Sequence, residues 1–378
     1  LGINPDTEPG TVVFVSEGNL QPVETLTFTR QGQFVPNINL EQDFTQGILS
    51  VTRTGQKVVR FLTRHGERDP GSSEGAGYAL AFLGLEGDNY RVATLDLDSA
   101  GSVPADTAVL IVAGPERDLL EQEVQPLEDY LRGGGNALFL LDPETPQTYR
   151  DVIMTWGVEL GEGTIVDRSS FVSPNPRAPL VRRDRYNFLA PNLFSPVTQP
   201  ITDVTFYERA TAISPIDPQP ARDLDLPNIF YNTDTLLITP LAVTTPVLSW
   251  LETDPENDRF DLGELLGPLA LGVSIEALAP FGEEPASSQS VKTQIIVFGD
   301  SDFASNRFFT SFGNGDMFLN AVNWLAGDAD LISVRPKLRV PRLLIVTERT
   351  WNFIRWSSLL ILPIAVAGVG AVVWWRRR

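Results

Sequence analysis

Residues 105–143 read ADTAVLIVAGPERDLLEQEVQPLEDYLRGGGNALFLLDP, and the succession of patterns in them points to the fold. Ala108–Ala113 (AVLIVA) is a near-continuous apolar run, the mark of a strand buried on both faces of a parallel sheet. Gly114-Pro115 closes it. Leu119–Leu131 then carries apolar residues at 119, 120, 124, 127, 130 and 131, a helical stripe, and Gly133–Gly135 stops that helix. Ala137–Leu141 (ALFLL) is a second buried strand, ending on Asp142-Pro143.

The same alternation extends outward. Upstream, Val58–Thr63 reads as a short strand that ends on the polar cluster Arg64-His65-Gly66-Glu67. A helix follows over Gly75–Leu85 and a strand over Arg91–Leu97. Downstream come a helix around Gln147–Trp156 and a strand at Thr164–Val166. Strands alternating with helices predict right-handed crossovers and a doubly wound α/β sheet. Later strands are expected at Leu236–Ile238, Leu269–Ile275 and Gln294–Phe298, the last running into Gly299-Asp300-Ser301-Asp302, with a helix at Gly315–Leu325.

The pattern divides the chain. Residues 1–56 hold N-terminal strands (Thr11–Val15, Thr25–Thr29), turn chemistry between them in SEGN and QPVE, and a lead-in helix near Phe44–Thr52. Residues 57–167 form a first α/β unit, 168–233 an irregular Pro/Arg-rich segment with an extended piece at Val204–Tyr207, and 234–334 the second part of the α/β body. A basic connector, 335–356, leads to the C-terminal run.

That run, Ser357–Trp375 (SSLLILPIAVAGVGAVVWW), is uncharged and is followed by Arg376, Arg377 and Arg378. At the helical rise it covers about 28 Å, close to the ~30 Å of a bilayer core. Trp356, Trp374 and Trp375 sit where the interfaces would lie, and Pro363, Gly368 and Gly370 are tolerated in spanning helices. A single C-terminal transmembrane helix in the cell membrane is therefore expected. Basic residues favour the cytoplasm, so 376–378 is read as a cytoplasmic tail and the bulk of the chain as extracytoplasmic. The chain opens on Leu1, and a preceding segment is expected.

Composition narrows the function. The 378 residues carry 29 Lys+Arg against 48 Asp+Glu, a formal charge of -19, which disfavours nucleic acid as a partner. There is no cysteine, and His65 is the only histidine, so neither an ordinary zinc site nor a Cys–His nucleophile can be assembled within the chain. The Gly-rich stretch Gly71–Gly77 fails the spacing of both phosphate-binding motifs, so any ATPase must be another subunit.

Several stretches resemble the GldG-like auxiliary components of ABC transport systems, a family named from gliding motility. They are FTQGILSVTRTGQKVVRFLTRHGE (44–67), residues 105–143, WGVELGEGTIVD (156–167), IIVFGDSDFASN (295–306), NGDMFLNAVNWLAGDADLISVRPK (314–337) and the terminal WWRRR. The resemblance implies a flavodoxin- or class I glutamine amidotransferase-like ectodomain with β-rich additions. It implies tethering beside an ABC-type permease and its ATPase. From the residues themselves, no cofactor and no metal are expected. One departure is visible: the family usually has glycine before HGE, where this chain has Arg64.

The candidate ligand or partner surface is His65, Glu67, Asp142, Asp300, Ser301 and Asp302, with the basic knot Arg182, Arg183 and Arg185. Ser301 stands in the serine slot of a nucleophile elbow, but Phe303 replaces its second glycine, and the bland reading is that Asp300 and Ser301 cap the next segment. The carboxylates would suit a hard cation only if they gathered at one sheet edge. The arginines are as readily local ion pairs. The expectation is a non-enzymatic, membrane-anchored auxiliary subunit. The alternatives are a tethering subunit among other integral membrane proteins and, last, a Ser301–His65 hydrolase.

Overall fold

The computed structural model describes residues 11–16, 19–24, 26–28, 34–36, 44, 47–48, 56–183, 195–217, 229–285, 291–328 and 355–377. Near the N-terminus, β1 (Thr11–Ser16) and β2 (Asn19–Glu24) form an antiparallel hairpin, and β3 (Leu26–Phe28) pairs with β4 (Phe34–Pro36). The body begins with β5 (Val58–Leu62), α1 (Ala79–Gly87), β6 (Arg91–Leu95), α2 (Leu97–Ala100), β7 (Thr107–Ala113), α3 (Glu121–Arg132), β8 (Ala137–Leu140) and α4 (Gln147–Thr155). It continues through β9 (Val158–Leu160), β10 (Thr164–Asp167), β11 (Phe171–Val172), β12 (Asn175–Val181), β13 (Thr205–Phe206), β14 (Ile213–Pro215) and β15 (Tyr231–Asn232). Then come β16 (Leu236–Val243), β17 (Ser249–Glu252), β18 (Ala270–Ala277), β19 (Thr293–Phe298), α5 (Asn314–Leu325) and a terminal α6 (Leu362–Arg376).

Ten strands make the central sheet, along the path β15-β16-β18-β19-β8-β7-β5-β6 with β14 and β9 joined at β18. The strands β6, β5, β7, β8 and β19 are mutually parallel. Ranked by position in the chain, they run 2-1-3-4-5, the flavodoxin-type order. Helices cover both faces. One core joins Val59, Phe61, Ile111, Leu138 and Phe298 to Ala81 and Leu85 of α1 and Phe318 and Val322 of α5. The other joins Leu110, Phe139 and Val297 to Leu127 and Leu131 of α3 and Val152 and Ile153 of α4. Apolar runs such as Ala108–Ala113 satisfy both faces at once, which is why they do not alternate.

The parallel winding stops at β19, and an antiparallel extension continues the sheet. The strands β15, β16, β18 and β19 pair antiparallel. No helix lies between β16 and β19 among the described residues, and a parallel return would need such a crossover. The segment 168–233 is also less irregular than its prolines suggest, because β11, β12 and β13 form a small antiparallel sheet. Its strand NPRAPLV keeps its proline carbonyls useful: Pro179 accepts from the Tyr207 N–H. At the N-terminus, Asn19–Glu24, expected to turn, is strand β2. Of the expected lead-in helix only Phe44, Gly47 and Ile48 are described, all helical. Helix α1 starts at Ala79 rather than Gly75, because Asn306 ties the preceding loop down by donating to the Ser72 and Glu74 carbonyls.

The C-terminal run is helical in two pieces, a π-helical stretch Ser357–Ile361 and α6 directly after it. Pro363 lacks the N–H for a regular bond one turn back, which accounts for the widened turn there. No helix among the described residues is by itself long and apolar enough to cross a membrane. The connector 335–354 and Arg378 lie outside the described residues.

The residue before the HGE triplet is conformationally costly. Arg64 has φ +98°, a region that disfavours any side chain, and its neighbour Gly66 has φ +88°. The Arg64 side chain is exposed, and its contact with Asp96 at 3.2 Å is a surface pair of small value. Relief of strain outweighs the flexibility that glycine adds to the unfolded chain. Arg64→Gly is expected to raise stability by about 1 kcal/mol, read from the denaturant midpoint at unchanged slope.

Candidate functional site

Because β5, β7, β8 and β19 are parallel, their carboxyl ends meet at one edge of the sheet. Thr63–Arg68, Gly114–Pro115, Leu141–Asp142 and Gly299–Asp302 are the segments that leave them. This edge gathers the acidic and histidine residues singled out in the sequence, in two clusters rather than one.

The first cluster surrounds His65, which is buried. Its Nδ1 lies 3.0 Å from Glu67 Oε1 and its Nε2 2.8 Å from Glu123 Oε2. Each ring nitrogen thus faces one glutamate oxygen. Glu67 also receives the His65 backbone N–H at 2.6 Å, closing the loop on itself. Glu123, three residues into α3, accepts the Leu120 N–H at 2.7 Å and so caps that helix from within. The His65 carbonyl accepts from Glu116 and Arg117, which fastens the loop to the segment after β7. Tyr149 lends its hydroxyl to Glu67 at 3.4 Å; burial, with the Glu67 charge beside it, keeps that phenol protonated.

The second cluster is organised by Arg68. Its guanidinium donates to Asp302 Oδ1 at 2.9 Å and Ser301 Oγ at 3.1 Å, and lies 3.6 Å from Asp142 Oδ2. Ser301 in turn donates its N–H and its hydroxyl to Asp142, at 2.7 and 2.6 Å. The Tyr78 hydroxyl donates to the Ser301 carbonyl. Gly114, at φ +61°, makes room: a Cβ there would come 2.7 Å from Ser301 Oγ and 3.1 Å from Arg68 Nε. Burial opposes the Arg68 charge, but Asp302 and Asp142 together hold its pKa above the ordinary value. Burial pushes Asp142 up against the pull of its Ser301 hydrogen bonds.

Asp300 lies wholly inside. Its Oδ1 accepts the Asp302 N–H at 2.7 Å, as the capping reading expects, and its Oδ2 has no partner among the described residues. Burial, and then the charges of Asp142 and Asp302, push its pKa well above the carboxylate range.

The structure thus brings Asp142, Ser301 and Asp302 together, and places His65 and Glu67 in separate bonds. Both His65 nitrogens face glutamates and the Ser301 hydroxyl faces Asp142, so the Ser301–His65 pair is not formed. Asp142 and Asp302 face the Arg68 guanidinium. Arg182 and Arg183 are exposed, with Arg183 donating to the Ile201 and Gln199 carbonyls; Arg185 lies outside the described residues. Sequence reading missed Arg68, Tyr78, Glu123 and Tyr149. Glu123 had a signal, an acid at the third position of a helix whose preceding residue has no capping side chain. Arg68 had only its place beside the HGE triplet.

A two-sided α/β body whose carboxyl edge is closed by its own ion pairs defines the class. A family model described as ABC-type uncharacterized transport system matches residues 56–321, and the chain belongs to that family: it is an auxiliary component of an ABC-type transport system. No curated protein sequence matches it. Among solved structures it is similar to the mmIFT52 N-terminal domain, with TM-score 0.47 and 12% identity over 75% of this chain and 100% of that one. A ThuA-like protein of Bacteroides uniformis has TM-score 0.37 and 14% identity, covering 72% of this chain and 93% of its own. One from Parabacteroides merdae has TM-score 0.39 and 10% identity, covering 76% and 94%. No assignment rests on these three likenesses.

Two outcomes follow from the clusters. His65→Ala leaves two buried carboxylates facing a void and is expected to cost about 3–5 kcal/mol, measured by chemical denaturation. Asp300 binds a proton on folding, so its contribution is complete below the usual carboxylate range and is lost as pH rises toward its folded pKa. The melting temperature of Asp300→Asn minus that of the parent protein is therefore expected to grow as pH rises from about 4. A flat difference across that window would show that Asp300 is ionised in the folded protein.

Proposed function

We propose that this auxiliary component is held to the membrane by its C-terminal helix and acts there without chemistry of its own. The observation that carries the reading is the exposure of the tail. Leu359, Ile364, Val372, Val373, Trp374 and Trp375 are all exposed large apolar side chains. A helix apolar on every side needs lipid or other helices around it. Ser357–Ile361 and Leu362–Arg376 are contiguous, and together they approach the length of a bilayer core. A Cβ at Gly368 or Gly370 would meet nothing within 4 Å, so these glycines relieve no crowding among the described residues; close approach of a permease helix gives them a use. Arg376 and Arg377 at the helix end favour a cytoplasmic C-terminus and an extracytoplasmic body.

A non-catalytic role is supported by how the edge groups are spent. Both nitrogens of His65 and the hydroxyl of Ser301 already serve ion pairs and hydrogen bonds that hold loops in place. The body then serves as a surface for partner or substrate, and work arrives by contact from the partner's ATP cycle.

Detergent extraction of native membranes is expected to bring an ATPase and a multispanning permease down with the full chain. Gly368→Ile with Gly370→Ile should reduce that recovery about tenfold while leaving the chain in the membrane fraction. Deleting residues 355–378 should release the body into solution. A truncated chain that still sediments with vesicles, or a full-length chain soluble without detergent, would overturn the anchor.

A further inference from the structure

The connection from β17 to β18 is longer than the ~12–15 residues beyond which unstructured loops are usually functional. It is held with unusual thoroughness. The Arg177 guanidinium donates to Asp258 Oδ1 at 2.7 Å, to the Asp254 carbonyl at 2.9 Å and to the Asn257 carbonyl at 2.6 Å. Arg168 donates to the Asp258 carbonyl and lies 5.9 Å over the Trp250 ring. Further along, Asn257 donates to Asp261, and Glu264 accepts the Asp261 N–H at 2.7 Å. The returning stretch runs beside β17, with Trp250 opposite Leu266 and the Leu251 N–H on the Leu265 carbonyl.

What this scaffold presents is apolar. Phe260 sits edge-on to Trp250 at 6.3 Å yet remains exposed; Leu262, Leu265 and Leu266 are exposed too, Leu262 completely. Leu248, just before β17, is also exposed. Large apolar side chains held in solvent by an ordered loop mark a contact surface rather than a connector. Asp254, Glu256 and Asp261 are exposed around them.

We propose that this loop docks into another protein of the transport complex, one that offers an apolar groove rimmed by Arg and Lys. The acidic rim selects that occupant. Anionic lipid headgroups would repel it, and a second copy would bring the same rim against itself on a chain of net charge -19. The proposal rests on the complex-forming role above, and it names the face that makes the contact.

The test uses the full chain in its native membrane, with a benzophenone amino acid at Leu262 and, as control, at exposed Leu83 on α1. Illumination should join position 262, not 83, to a different polypeptide, at a peptide holding apolar residues beside Arg or Lys. Glu256→Lys with Asp261→Lys should lower the yield about tenfold. Parallel thermal melts establish that this variant folds; if it does not, Glu256→Lys alone replaces it, since no hydrogen bond of the loop uses that carboxylate. Adducts only to lipid or to a second copy, no adduct, or a yield indifferent to charge reversal in a folded variant would overturn the proposal. Continued recovery of the ATPase and permease in those cases would leave the anchoring role standing.

Discussion

One guanidinium ties the carboxyl edge together. Arg68 leaves the loop after β5 and reaches Ser301 and Asp302 beyond β19 and Asp142 beyond β8. Those segments are far apart in the chain, and each ends a strand whose apolar body is buried on both faces. Their polar ends have nowhere to go but this edge, where their negative charges would repel one another. A planar fork meets several acceptors in fixed directions, which a lysine ammonium would not reproduce. Gly114 is small for the same reason: any side chain there would displace the contact.

Closure of the edge shapes what the protein can do. In open α/β sheets this is where ligands usually sit, at the point where strand order reverses. Here His65 is clamped between Glu67 and Glu123 on one side of that point, and Arg68 between carboxylates on the other. His65, Glu67, Asp142 and Ser301 here bond to one another's loops and to α3. In the roles proposed above, interaction passes to the outside of the body: the terminal helix with its exposed apolar surface, and the pinned loop between β17 and β18.

Much of the architecture was legible in residues alone. Ala108–Ala113, Ala137–Leu141 and Gln294–Phe298 are apolar runs too short for helices and bounded by turn residues, and each is a buried strand within one residue of the expected bounds. The stripe expected over 119–131 falls on α3, which begins two residues later at Glu121 and continues through Pro126. The antiparallel half of the sheet was not legible, because a buried strand reads the same whichever way its neighbour runs. Nor was the small sheet in 168–233, where prolines hide a strand whose pairing is set by its partners.

The sequence by itself determined the buried strands, the covering helices, the absence of cysteine-based chemistry and the polar termini of β5, β8 and β19. These are local properties: each follows from the order of a few residues and the need of an apolar face to leave water. Only the tertiary structure decided that Glu123 rather than Ser301 faces His65, that Arg68 lies among the aspartates, and that Asp300 is sealed inside. Which charge meets which depends on the sheet order that brings distant strand ends together, and that order is not written at any one of those ends.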